Sequence, residues 1–249
     1  MEAGIPPLAI SIDQEGGPVA RLGPPFSVFP GNRAIGDAQS AAAAREFGAV
    51  TARELKGVGI NMNFAPVLDV VPEGLDSSVM ADRVFGSSPE LVADLGNAVI
   101  ETLQGNGVAA TAKHFPGNGE SAIDPHFGVP VLDHDLDRLR KVEFYPFQSA
   151  VDAGVKLVMS AHVALPQLTG EADLPATLAP EIMTDLLRKE MGFQGLLISD
   201  ALDMKAIDQG QGKIIDIIAA VRAGIDLLLL ASDAGMQDQM YAGLVQALK

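Results

Sequence analysis

Short apolar runs alternate with longer segments of helical periodicity along the chain, and this alternation constrains the fold more than any other feature. The predicted strands are Leu8–Ile12, Ile60–Phe64, Val108–Lys113, Lys156–Ala161, Gly195–Ser199 and Asp226–Leu230. The predicted helices are Ala38–Lys56, Pro89–Asn106, Leu136–Ala153, Pro180–Met191, Lys213–Ala223 and Met236–Leu248. Because the strands are apolar throughout, they are typical of a parallel sheet covered by helices.

Polar residues follow directly after most of the predicted strands, and this favours a closed barrel over an open sheet. They are Asp13-Gln14-Glu15, Asp69, Lys113-His114, His162 and Ser199-Asp200. In a parallel barrel the C-terminal strand ends all meet at one mouth, whereas a doubly wound sheet gathers its ligands at one switch point. We therefore predict an α/β protein, a TIM-type (β/α)8-like barrel formed by residues 1–249 as a single catalytic domain. Only six strands are evident, so we expect the first βα unit to be absent or irregular.

Composition and charge exclude several classes of partner. The formal net charge of −15 would repel phosphate backbones and anionic lipids, so we expect no nucleic-acid or membrane partner. There is no cysteine, and no apolar run reaches the roughly 18 residues of a membrane span. The N-terminus lacks the features of a signal peptide, so we expect a cytoplasmic protein. The four histidines show no metal-ligand spacing on a common helix, so we expect neither a metal nor a cofactor.

Asp200 ends an apolar strand just before a turn, which places its carboxylate at the predicted barrel mouth. There it can act as a nucleophile, as a base or as a metal ligand. The alternative is a helix N-cap, a position that Asp favours, although Asp203 can cap equally well. Position alone leaves these readings open.

The segment from Lys113 to His126 contains two glycines and two prolines, which predicts a shaped loop. It begins with Lys113 and His114 at a strand end and finishes with Asp124-Pro125-His126. A carboxylate beside a histidine can accept one ring proton and raise the basicity of the other nitrogen, as a general acid/base requires. A satisfied strand-end histidine and an ordinary turn are the alternatives.

A third polar segment runs from Asp13 to Arg21 and includes the pair Gly16-Gly17, which permits close approach of the backbone to a ligand. Asp13 and Arg21 offer charged hydrogen bonds to sugar hydroxyls or to an acetamido carbonyl, and Arg83 can do the same. Each arginine taken alone is better explained by a surface ion pair.

Six strings in one order resemble a known family. They are Asp13-Gln-Glu-Gly-Gly17, Asn63-Phe-Ala-Pro-Val-Leu-Asp-Val70, Arg83-Val-Phe-Gly86, Lys113-His-Phe-Pro-Gly117, Asp124-x-His126 and Ser199-Asp-Ala-Leu-x-Met204. Together they resemble glycoside hydrolase family 3, in particular its bacterial β-N-acetylglucosaminidase (β-hexosaminidase) branch, over residues from about 8 to 232.

The resemblance implies a role for each matching residue. Asp200 would be the nucleophile that forms a glycosyl-enzyme intermediate, and His126, paired with Asp124, would be the acid/base on its loop. The residues that would hold a terminal N-acetylglucosamine are Asp13, Arg21, Arg83, Lys113, His114 and Met204. The expected substrate is a muropeptide or a related peptidoglycan fragment.

The sequence departs from the family pattern at three points. Asn118 stands where the family's loop usually has a histidine, and Pro125 stands where a small serine is commoner. Relatives also carry a strand and a helix ahead of the Asp13 segment, and we do not find that unit.

Three other functions remain open: a family 3 β-glucosidase, a glycoside phosphorylase and a barrel that binds sugar without cleaving it. The Asp124-x-His126 pair favours the hexosaminidase. With no Trp and only two Tyr, the chain offers few surfaces for stacking against sugar rings, which predicts an exo-acting pocket for one terminal sugar. We expect a monomer whose only partner is this small carbohydrate.

Overall fold

The computed structural model describes residues 8–75, 80, 82–120, 128–207, 213–231 and 234–248. Within these ranges the strands are β1 (Ser11–Ile12), β2 (Gln14–Gly16), β3 (Val19–Ala20), β4 (Met62–Asn63), β5 (Ala109–Phe115), β6 (Leu157–Ser160) and β7 (Leu196–Ser199). The α-helices are α1 (Asn32–Asp37), α2 (Ala41–Gly57), α3 (Pro89–Gly105), α4 (Leu136–Lys141), α5 (Phe144–Asp152), α6 (Pro166–Thr169), α7 (Lys213–Ala223) and α8 (Ala234–Ala247). A 3₁₀ turn at Ala176–Leu178 and a π-helix at Glu181–Glu190 lie between α6 and β7.

The main sheet is parallel and its strands lie in chain order, β1-β4-β5-β6-β7. A doubly wound sheet reverses its strand order at a switch point, whereas a barrel adds each new strand beside the previous one. The predicted strand 226–230 continues this order, since Leu227 forms a parallel bridge with Ile198 of β7. The sheet is therefore an arc of an α/β barrel, which confirms the predicted fold class.

Helices α2 and α3 begin where capping residues place them and pack on the outside of the sheet. The Ser40 hydroxyl accepts the Ala43 N–H, and the Ser88 hydroxyl accepts the Leu91 N–H, with Pro89 in the first turn of α3. No helix in the described part of the chain is long and apolar enough to cross a membrane.

The helix predicted over residues 136–153 is two helices, so that prediction was wrong at its centre. Helix α4 ends at Lys141 and α5 begins at Phe144. Pro146 lies in the first turn of α5, where it has no N–H to donate and its ring would clash with the carbonyl of Val142 in a continuous helix. Val142 accordingly has non-helical angles, φ −122° and ψ −71°.

Two of the four apolar clusters among the described residues form the core on the two sides of the sheet. The larger lies between sheet and helices and includes the buried rings of Phe47, Phe115 and Phe147. The smaller consists of Met62, Phe64, Leu157, Met159 and Ile198, with Ala109, Leu227 and Leu229 packed against it. Because its members come from β4, β6 and β7 and from the segment after β7, it fills the concave side of the sheet. The barrel interior is therefore a packed core with a site above it.

Gly16 ends β2 and Gly17 begins the turn to β3, with φ of +82° and +57°. A Cβ on Gly17 would lie 2.6 Å from Cα of Gly31. The close approach that these glycines permit is therefore to the protein's own backbone, and neither residue lines the pocket described below.

Candidate active site

A pocket of about 250 Å³ lies at the C-terminal ends of the parallel strands. It contains every predicted site residue that falls within the described ranges: Asp13, Arg21, Arg83, Lys113, His114, Asp200 and Met204. Asp13 follows the first strand of the sheet and Leu229 lies two residues after Leu227, which bridges to the last strand, yet both line the same pocket. The sheet therefore curls enough to bring its two edges to one mouth.

Glu15 does not line the pocket but binds two of the cations that do, and the sequence analysis did not select it. Its side chain is only 1% exposed, and its two oxygens accept from Nε and Nη2 of Arg83 at 2.9 and 2.8 Å. The same carboxylate lies 2.6 Å from Nζ of Lys113. Burial raises the pKa of Glu15, but Lys113 and Arg83 together outweigh it and lower that pKa to about 2. Glu15 is therefore ionised and fixes the positions of both cations.

Lys113 joins this buried charge to the pocket. Its ammonium also donates to Oδ1 of Asp13 at 2.8 Å, and the Asp13 side chain remains 34% exposed. An ammonium has three protons, so these two carboxylates leave one for a ligand.

Arg83 is fixed in the same way. Burial lowers its pKa, but the bidentate pair with Glu15 more than compensates, and the pKa lies above its usual value. The guanidinium therefore stays charged where it lines the pocket.

Lys113 and His114 both line the pocket although they are adjacent in one strand. Side chains normally alternate between the faces of a strand. Between Ala112 and Phe115 the pairing of β5 with β6 shifts, so that Ala112 lies opposite Val158 and Phe115 opposite Ser160. The extra residue is a β-bulge, which re-aims one side chain, and the Lys113-His114 peptide is cis. The bulge allows consecutive residues to face the same pocket.

His114 is oriented by Asp69, a second residue that the sequence analysis did not select for the site. Its Nδ1 lies 2.7 Å from Oδ2 of Asp69, whose other oxygen accepts the Asn118 N–H at 2.6 Å. Because a carboxylate only accepts, Nδ1 of His114 carries a proton. The other ring nitrogen, Nε2, lies 3.5 Å from Nη2 of Arg83. Asp69 thus fixes both the ring and the first residues of the loop that follows.

Asp200 follows β7 and lies at the base of the pocket. Its amide donates to the carbonyl of Ser160 at 3.2 Å, and its Oδ1 accepts the Ala201 N–H at 2.7 Å. Burial raises the pKa of Asp200, but His114 and His162, then the Ala201 amide and Lys113, outweigh it and the pKa lies below its usual value. Among the described residues no hydrogen bond reaches Oδ2, so an ionised oxygen faces the pocket.

The remaining walls combine one cation with apolar surface. Arg21 is exposed at the rim, and its backbone N–H donates to Gln14 Oε1, which ties the segment to β2. In the described part of the chain its guanidinium has no hydrogen-bond or ion-pair partner. Val19, Met159, Met204 and Leu229 form the apolar part of the wall. The pocket can therefore hold a small polar molecule with an apolar substituent.

Asp124, Pro125 and His126 lie outside the described residues. The described segment before them ends at Glu120, and the next begins at residue 128. The Glu120 carboxylate lies 2.6 Å from Nε2 of His134 and 3.5 Å from Nη2 of Arg138. No group of three or more His, Asp or Glu side chains that could hold a metal occurs within the described ranges.

Fold and site together define a class: an α/β barrel whose mouth carries an ionised aspartate beside a lysine, an arginine and an oriented histidine. The family model for the glycosyl hydrolase family 3 N terminal domain matches residues 2–249. The chain belongs to this family.

Relatives with known names support the assignment. The chain is 36% identical to beta-hexosaminidase A of Pseudoalteromonas piscicida, covering 98% of this chain and 44% of that protein. It is also 36% identical to a beta-hexosaminidase of Nitrosomonas eutropha, covering 96% of this chain and 69% of the relative. The solved structure of a family 3 beta-N-acetylglucosaminidase from Paenibacillus sp. str. FPU-7 superimposes with a TM-score of 0.91 at 42% identity, covering 97% of this chain and 45% of that one. The chain thus spans less than half the length of two of these three proteins.

Proposed function

We propose that this chain carries the catalytic site of a retaining exo-β-N-acetylglucosaminidase, which removes a terminal, non-reducing N-acetylglucosamine from peptidoglycan fragments. The observation that carries the proposal is Asp200: an ionised carboxylate at the base of a pocket sized for one sugar. The names of the relatives support the N-acetylglucosamine specificity.

Asp200 has the properties of a nucleophile. A retaining glycosidase needs one carboxylate below the anomeric carbon, charged before substrate binds. The lowered pKa keeps Asp200 ionised at neutral pH, and the Ala201 amide holds Oδ1 while Oδ2 faces the pocket. Oδ2 attacks the anomeric carbon, the glycosidic C–O bond breaks, and a glycosyl ester forms on Asp200.

The charged residues of the pocket suit the hydroxyls and acetamido group of a single sugar. Asp13 accepts hydrogen bonds, while Lys113 and Arg83 donate, and Glu15 fixes both cations from beneath. Because these groups are held before the ligand arrives, little ordering is required at binding. The apolar wall around Met204 offers a surface for the acetamido methyl.

The proton for the leaving group is proposed to come from His126, with Asp124 as its partner. The family resemblance supports this role. Imidazolium at His126 gives its proton to the glycosidic oxygen as the first C–O bond breaks. Neutral His126 then takes a proton from water as that water attacks the anomeric carbon and releases Asp200. A histidine titrates near neutrality, so one ring can serve as acid and as base in turn.

The pocket volume supports exo action. About 250 Å³ is below the roughly 300–1,000 Å³ typical of pockets for drug-sized ligands. With no Trp in the chain, an extended groove would also lack its usual stacking platforms. One sugar ring, held mainly by hydrogen bonds, fits these constraints.

The test is the hydrolysis of 4-nitrophenyl N-acetyl-β-glucosaminide by the wild type and by Asp200→Ala, with Asp37→Asn as a control. Asp37 is an exposed partner of Arg33, and neither residue lines the pocket. We expect turnover in the wild type and the control, and its loss in Asp200→Ala. A correctly folded wild type that releases no nitrophenol contradicts the proposal.

Two further assays separate the related reactions. Turnover of 4-nitrophenyl β-glucoside at a rate equal to that of the N-acetylglucosaminide would indicate a β-glucosidase. Formation of N-acetylglucosamine 1-phosphate in phosphate buffer would indicate a phosphorylase, and we expect free N-acetylglucosamine with and without phosphate.

A further inference from the structure

A buried histidine that does not line the pocket contacts the residue next to Asp200. His162 follows β6 and is only 1% exposed. Its Nε2 lies 3.1 Å from the carbonyl oxygen of Ala201, and its Nδ1 lies 2.8 Å from Oγ1 of Thr177. Because a carbonyl oxygen only accepts, Nε2 carries a proton and donates it to Ala201. The ring therefore spans from the 3₁₀ turn Ala176–Leu178 to the residue that follows Asp200.

These bonds are part of a closed circuit beneath the nucleophile. Thr177 Oγ1 lies 2.8 Å from Oγ of Ser160, and the carbonyl of Ser160 accepts the Asp200 N–H. The circuit runs from His162 through Thr177, Ser160 and Asp200 to Ala201, and back to His162. Such a chain of buried hydrogen bonds is stiff, because releasing any member would leave a polar group unsatisfied.

The carbonyl of Ala201 also accepts the Met204 N–H at 3.1 Å, while the Ala201 N–H donates to Oδ1 of Asp200. The N–H of Ala201 is therefore hydrogen-bonded to the Asp200 carboxylate, and its carbonyl is hydrogen-bonded to His162. A shift of this carbonyl would turn the peptide that sets the direction of the Asp200 carboxylate.

We propose that His162 is a positioning residue for the nucleophile: its Nε2–H holds the Ala201 carbonyl and so aims the Asp200 carboxylate into the pocket. This inference rests on the proposed function, since it concerns the same nucleophile. His162 does not line the pocket, so it acts on the reaction through Ala201 and not through the sugar. Its nearness also contributes to the lowered pKa of Asp200.

Two substitutions test the contacts of the two ring nitrogens one at a time. The amide nitrogen of glutamine lies near the position of histidine Nε2, and that of asparagine lies near Nδ1. His162→Gln therefore keeps a donor to the Ala201 carbonyl, whereas His162→Asn keeps only the contact with Thr177. Asparagine is also smaller than glutamine, so a role in core packing alone would lower Tm and sugar binding in His162→Asn together with kcat, whereas a positioning role lowers kcat with little change in sugar binding.

The experiment measures kcat and KM for 4-nitrophenyl N-acetyl-β-glucosaminide, with the inhibition constant of N-acetylglucosamine and Tm for each variant. We expect His162→Asn to lower kcat about 100-fold, as a misplaced reacting group does, while the inhibition constant stays within about threefold. We expect His162→Gln to recover about tenfold of that loss, the value of one hydrogen bond.

Equal kcat values for the two variants would overturn the inference, as would parallel losses of kcat, sugar binding and Tm. If neither variant folds, Thr177→Ser and Thr177→Val repeat the test on the other side of the ring, since only serine keeps the hydroxyl that holds Nδ1. Thr177→Ser must then retain a higher kcat than Thr177→Val, and equal kcat values for these two variants would again overturn the inference. An inactive wild type refutes the proposed function itself. An active wild type whose kcat both variants share refutes only the role of His162.

Discussion

Replacing Glu15 with glutamine removes the charge that holds Lys113 and Arg83 in place. The lowering of the Glu15 pKa from 4.5 to about 2 gives the magnitude. At about 1.36 kcal/mol per pKa unit, the folded protein favours the ionised carboxylate by about 3 kcal/mol. Breaking a buried pair by removing one partner typically costs about 3–5 kcal/mol, because the remaining charges stay buried. We therefore expect Glu15→Gln to lower the free energy of unfolding by about 3 kcal/mol.

The pH dependence of this difference has a defined sign. The folded-state pKa of Glu15 lies below its value in the unfolded chain, so its stabilisation is complete above pH 4.5 and is lost as the pH falls toward 2. The wild type and Glu15→Gln should therefore differ most at neutral pH and converge in acid.

The assay is urea unfolding followed by circular dichroism, since a chain with no Trp and two Tyr gives a weak fluorescence signal. Asp37→Asn is the matched control, because Asp37 is 67% exposed in its pair with Arg33 and should cost less than about 1 kcal/mol. A loss below about 1 kcal/mol in Glu15→Gln at pH 7, or a difference that does not shrink in acid, would refute the electrostatic reasoning.

Three further predictions concern the histidine, the core and a helix end. Asp69→Asn removes the charge that orients His114, and we expect kcat/KM to fall about 10–100-fold, measured on the nitrophenyl substrate; an unchanged value would mean that the ring needs no carboxylate partner. Phe147→Ala removes a fully buried ring whose centroid is 5.4 Å from that of Phe115, and should destabilise the protein by about 3–5 kcal/mol in urea unfolding; a loss below about 1 kcal/mol would contradict the packing. Ser40→Ala removes the cap of α2 and should cost about 1 kcal/mol by the same measurement, whereas Ser40→Gly should cost only a few tenths.

Much of the site follows from strand ends alone. Asp13, Lys113 and Asp200 each follow an apolar run, and parallel strands bring such positions to one edge, so the sequence predicts that they meet. Arg83 and Met204 are not at strand ends: Arg83 was selected as a possible charged hydrogen-bond donor, and Met204 only through the family resemblance. The structure places all five in one pocket.

Other parts of the site depend on long-range geometry that a sequence does not display. Asp13 and Glu15 have the same chemistry and lie two residues apart, yet only Glu15 turns inward to bind two cations from distant segments. The orientation of His114 by Asp69 requires a bulge in β5 and a contact across 45 residues. Glu15 belongs to the matched string Asp13-Gln-Glu-Gly-Gly17, and that membership is the one sequence signal that would have selected it.

The helix boundaries also differ in how well the sequence predicts them. The starts of α2 and α3 follow from local capping by Ser40 and Ser88, which the sequence shows directly. The break before α5 also has a cause within the sequence, because Pro146 excludes a continuous helix. The prediction missed it because the apolar residues keep helical spacing across the break. Asp124 and His126 lie outside the described residues, so their pairing stays a prediction.

The measurement that tests the central claim most directly is the detection of a covalent glycosyl ester on Asp200. The protein is mixed with 2,4-dinitrophenyl N-acetyl-β-glucosaminide, quenched in acid within milliseconds, digested and analysed by mass spectrometry. We predict a mass increase of one N-acetylglucosaminyl group on the peptide that contains Asp200, with none in Asp200→Ala. A turning-over enzyme whose label lies on another residue would contradict the assignment of Asp200 as the nucleophile, and so would product of inverted anomeric configuration.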